Sequence, residues 1–63
     1  MNLELEFDEV KVKKIIEQDA ALYNVYEAKN AIFENEKKTL KFIFESYIEQ
    51  DQVYRDKYLQ IKD

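Results

Sequence analysis

One heptad position of this chain reads Val12, Asp19, Tyr26, Phe33, Leu40, Tyr47, Tyr54 and Ile61. Seven-residue recurrence of apolar side chains is a helix-packing signal, and only Asp19 interrupts it. Neighbouring positions add Ile15 and Ile16, Leu22 and Tyr23, Ile43 and Phe44, and Tyr58. The chain has neither glycine nor proline, the two residues that most disfavour helix interiors. The pattern predicts an all-α protein.

In the middle of the chain the seam loses its companions. Lys29, Asn30, Glu36 and Lys37 stand where apolar residues are expected, and between Tyr26 and Leu40 only Phe33 holds the line. A polar run of this length matches a helix-to-helix connection of about 2 to 8 residues. Asn35 is its only residue at ease in the left-handed conformation that closes a helix. The reading is therefore a single small domain: an extended arm over 1–7, a helix over 8–33, a polar turn over 34–37 and a second helix over 38–62, folded as a two-helix antiparallel hairpin. The alternative is one continuous coiled-coil helix, which would reach ~80 Å at 1.5 Å per residue.

Asp8 is placed to cap the first helix, with Glu9 in its first turn. Before it, Leu3, Leu5 and Phe7 alternate with acids at the period of a strand. A lone strand lacks a partner, so these three residues are expected to lie as an arm against the helices. Pairs Glu9–Lys13, Glu34–Lys38 and Asp51–Arg55 have the i, i+4 spacing that supports a helix weakly.

The first helix carries a second apolar line, Ala21, Val25, Ala28 and Ile32, away from the seam. The second helix offers less, chiefly Phe42 and Val53. A helix apolar on two sides needs cover on both, and a monomeric hairpin covers one. These six residues are the expected protein interface, and a homodimer forming a four-helix bundle is the simplest arrangement. A 63-residue chain has a marginal core, and without cysteine no disulfide adds to it.

Chemistry is restricted. Histidine and cysteine are absent, so the usual general base and thiol nucleophile are missing, and Thr39 and Ser46 have no histidine to activate them. Zinc sites, calcium loops and glycine-rich phosphate loops each need a residue type the chain lacks. No enzyme, cofactor or metal is expected. The acids Glu45 and Glu49, and Glu4 to Glu9, are read as solvated surface. A net charge of −4 opposes nucleic-acid binding, despite lysines at 37, 38 and 41. No run of about 18 apolar residues suggests a membrane span. The acidic start, MNLELEFDEV, is unlike a signal peptide, which predicts a soluble cytoplasmic protein.

These features point to a small, acidic, non-enzymatic protein of the adaptor or inhibitor type, acting on a protein target through helical surfaces. Two alternatives stand: a self-assembling coiled-coil subunit, and an acidic mimic of nucleic acid that inhibits a nucleic-acid-binding protein.

Overall fold

A computed structural model describes residues 5–61. Among them the structure is all-helical, without strands. Four α-helices follow one another: α1 (Glu9–Gln18), α2 (Ala20–Phe33), α3 (Glu36–Ile43) and α4 (Gln52–Gln60). A π-helical segment, Phe44–Ile48, continues α3, and Glu49 N–H donates to Phe44 C=O across five residues.

The two-helix expectation is thus corrected to four, and the agent is the same at every break. Each helix starts on an Asp or Asn whose backbone is extended and whose side-chain oxygen accepts amide hydrogens of the first turn. Asp8 takes those of Val10 and Lys11, Asp19 that of Leu22, Asn35 that of Lys38, and Asp51 those of Val53 and Tyr54. Short carboxylates and amides compete with the helix for backbone donors and win best at N-caps. Asp19 breaks the chain because its φ of −133° and ψ of 112° end α1 and begin α2 in one residue.

The polar turn is shorter than expected, residues 34 and 35 instead of 34–37. Glu34, not Asn35, takes the left-handed conformation, at φ 52°. Asn35 is the cap of the following helix, which starts at Glu36, two residues earlier than the sequence pattern suggests. A continuous helix is excluded, because the long axis of the molecule is only 36 Å.

α1 lies at the centre, packing against α2, α3 and α4. The core joins Val12, Ile15 and Ile16 of α1 to Leu22 of α2, Leu40 and Ile43 of α3, Phe44 and Ile48 of the π segment, and Tyr58 of α4. Leu5 and Phe7 pack against this core, with the Phe7 ring edge-on to Phe44 at 5.5 Å. Leu3 lies outside the described residues. The Tyr58 hydroxyl donates to Glu6 C=O, tying α4 to the segment ahead of α1.

Among the described residues Thr39 is the one buried polar residue in the core. Its hydroxyl lies 2.9 Å from Asn35 C=O and 3.2 Å from Asn30 Oδ1, so it joins α3 to the end of α2. Replacing Thr39 by valine keeps the volume and removes the hydroxyl, and Asp19→Ala removes a cap. We expect each to lower stability by about 1 to 2 kcal/mol in urea unfolding. An unchanged midpoint for either variant would contradict the assigned role.

Candidate protein-binding surface

α2 contains ten apolar or aromatic residues among its fourteen, yet Leu22 alone is fully buried. Helical geometry explains which side is left over. Leu22 faces the core, flanked by half-buried Val25, Tyr26, Lys29, Asn30 and Phe33. At about 100° per residue the opposite sector holds Ala20, Asn24, Glu27 and Ala31, all exposed.

The expected line of Ala21, Val25, Ala28 and Ile32 falls on the border of this sector. Val25 turns inward and packs on the core, whereas Ala21, Ala28 and Ile32 are exposed, Ile32 by 68%. Of the remaining two expected interface residues, Val53 on α4 is 61% exposed. Phe42 is half-buried in an aromatic row, 5.8 Å from Phe33 and 6.3 Å from Tyr47 by ring centroids. Lys29 extends over the Phe42 ring at 5.2 Å, shielding one face of it. The structure thus sets Ala21, Ala28 and Ile32 along one exposed helix edge and puts Val25 and Phe42 partly inside.

A second feature was not legible as a site. Glu36 opens α3, where Asn35 caps it, and there its carboxylate meets α1 and α2 together. Lys13 Nζ of α1 pairs with Glu36 Oε1 at 2.6 Å, and the Tyr26 hydroxyl of α2 donates to Glu36 Oε2 at 3.1 Å. The sequence spacing assigned Lys13 to Glu9, one turn away. Breaking the helix at Asp19 lets α1 and α3 come side by side and gives Lys13 this longer-range partner. The lysine hydrogen bond and charge hold the Glu36 carboxyl below its ordinary range, aided by Tyr26, and the same pair raises the Lys13 ammonium. Loss of solvent, then the bond to Glu36, raises the Tyr26 phenol. Beside this network is a cleft of about 220 Å³ lined by Lys13, Ile16, Glu17, Tyr23, Tyr26 and Glu36.

At the other end of α1, Asp19 is held below the ordinary carboxyl range, first by the Leu22 amide, then by hydrogen bonds from Tyr54 and Ala21 and the Lys57 charge. Lys57 Nζ lies 4.0 Å from Asp19 Oδ2. A larger, open recess of about 520 Å³ adjoins it, lined by Lys14, Gln18, Lys57, Gln60 and Ile61.

Among the described residues no cluster of three acids is arranged to hold a metal ion, and no helix is long and apolar enough to cross a membrane. Glu45, within the π segment, is exposed, and Glu49, which follows it, is half-buried. No protein-family model matches the chain, and neither curated proteins nor solved structures provide a match.

The lowered carboxyls of Asp19 and Glu36 have a defined consequence. A folded-state value below the unfolded one adds stability above the unfolded value, and that stability is lost as pH falls through the folded value. The unfolded references are 3.8 for Asp19 and 4.5 for Glu36. Urea midpoints are therefore expected to hold near neutrality and fall on acidification below these references. Asn is as good a cap as Asp but does not titrate, so Asp19→Asn should make that fall shallower. An acid limb of unchanged steepness in this variant would refute the assignment to Asp19.

Proposed function

We propose that this chain is a small non-enzymatic protein-binding protein of the adaptor or inhibitor type, and that it works as a dimer joined through α2. The observation that carries the reading is the mismatch in α2: ten of its fourteen residues are apolar or aromatic, one is fully buried, and on its exposed side Ala20, Ala21, Ala28, Ala31 and Ile32 stand beside Asn24 and Glu27. A helix whose apolar residues extend beyond its buried stripe gains by covering them.

A second copy is the occupant best matched to this face. Ala21, Asn24, Ala28 and Ala31 project little, which favours the short end of the usual 8–10 Å interhelical distance. With four helices in each copy the dimer would hold eight, so the expected four-helix bundle gives way to two four-helix units meeting at a crossed pair of α2 helices. At 1.5 Å per residue α2 is ~21 Å long, which points to a buried area below the ~1,200–2,000 Å² of stable interfaces, in the weak or transient class. The dimer should accordingly dissociate on dilution. A coiled-coil assembly subunit has less support, since that reading depended on a long uninterrupted helix. A mimic of nucleic acid needs acids in phosphate-like rows, and here Glu36 is tied to Lys13 and Asp19 lies beside Lys57.

Ala28 is exposed, so a charge there leaves the core untouched. The wild-type chain should sediment as two copies at high concentration, and Ala28→Glu as a single copy of 7.7 kDa with an unchanged helical circular-dichroism spectrum. A variant that sediments like the wild type would exclude α2 as the joint.

A further inference from the structure

The cleft between α1 and the first half of α2 has a composition that selects a ligand class. Its floor is Ile16, which is nearly fully buried, and one wall is formed by Tyr23 and Tyr26, with ring centroids 6.4 Å apart and planes tilted by 38°. Tyr23 is 47% exposed and lines the cleft, so part of its side chain is accessible to a partner there. Two carboxylates line the same space. Glu36 is engaged by Lys13 and Tyr26, whereas Glu17 is exposed and makes no ion pair among the described residues. The volume, about 220 Å³, is below the ~300–1,000 Å³ usual for small-molecule sites and suits a single inserted side chain.

An accessible aromatic side chain and an unpaired carboxylate lining one cleft are complementary to a planar cation. The ring quadrupole attracts positive charge, and the carboxylate accepts paired N–H donors in the guanidinium plane. We infer that this cleft receives an arginine side chain of a protein target, its guanidinium stacked on Tyr23 and paired with Glu17.

The inference rests on the protein-binding reading above and names the chemistry of the partner. Arginine fits better than lysine because a guanidinium is planar, more weakly hydrated and able to make two parallel hydrogen bonds, whereas an ammonium is a strongly hydrated point charge. Lys13 does not occupy the same role, since its ammonium is committed to Glu36 at 2.6 Å. The chain's net charge of −4 draws a basic segment toward it without specifying where it docks. Specificity would come from the ring and carboxylate, and that separates this site from general charge attraction.

Amide-resolved NMR titration of the full chain with an octa-arginine peptide, at about 0.15 M salt, reads this directly. Expected shifts centre on Glu17, Tyr23 and Tyr26. Glu17→Gln and Tyr23→Leu should each weaken binding at least about tenfold, with helix content and melting retained. Glu45→Gln, which removes one exposed negative charge elsewhere, should change it little. Octa-lysine should bind several-fold more weakly. Equal weakening by Glu45→Gln, or equal affinity for octa-lysine, would reduce the effect to net charge and overturn the inference. So would shifts at the cleft that depend on protein concentration without peptide, since the occupant would then be a second copy. Monomeric Ala28→Glu should still bind octa-arginine, so failure of the α2 joint and failure of the cleft give different results.

Discussion

Everything in this molecule depends on a competition at four backbone positions between helix propagation and side-chain capping. At Asp19 the break is not dictated by local sequence. The surrounding residues are good helix formers, and neither proline nor glycine forces a break. The carboxylate gains the Leu22 amide and a hydrogen bond from Tyr54, and the Lys57 charge lies nearby. These interactions come from both the next helix and α4, so the break is stabilised by the tertiary structure it permits. With α1 freed from the direction of α2, it can be enclosed by three other helices and contribute Val12, Ile15 and Ile16 to one core.

Capping also accounts for which parts of the fold were legible in the sequence. The heptad line and its companions identified most of the core: Val12, Ile15, Ile16, Leu22, Leu40, Ile43, Phe44 and Tyr58 are all buried. Ile48 was overlooked because it lies off the heptad register, where the wider π turn carries it inward. Asp19 stood out as the single polar interruption of the seam. The pattern alone could not say that it was a cap, because periodicity survives a one-residue break when both helices face the same core. Asn35 was identified as a helix-ending residue and is in fact a helix-starting one. The left-handed position fell instead to Glu34, a non-glycine residue that sequence preference would not nominate.

The candidate surfaces divide in the same way. Exposure of Ala21, Ala28 and Ile32 follows from helical spacing within α2, a local property. The cleft with Tyr23, Tyr26, Glu17 and Glu36 follows from how α1, α2 and α3 meet. Lys13 and Glu36 are far apart in sequence and become partners only through the break at Asp19 and the reversal at Glu34 and Asn35. Pairwise spacing cannot predict such a meeting. The self-pairing proposed for α2 thus draws on a local surface, and the arginine recognition proposed for the cleft on a tertiary one.

The central claim is that capping divides this chain into four helices gathered around α1. Backbone carbon chemical shifts measured residue by residue test it most directly. The account predicts helical shifts over 9–18, 20–33, 36–48 and 52–60, with extended values at Asp19, Asn35 and Asp51 and a left-handed signature at Glu34. Helical shifts running unbroken through Asp19 and Asp51 would contradict it.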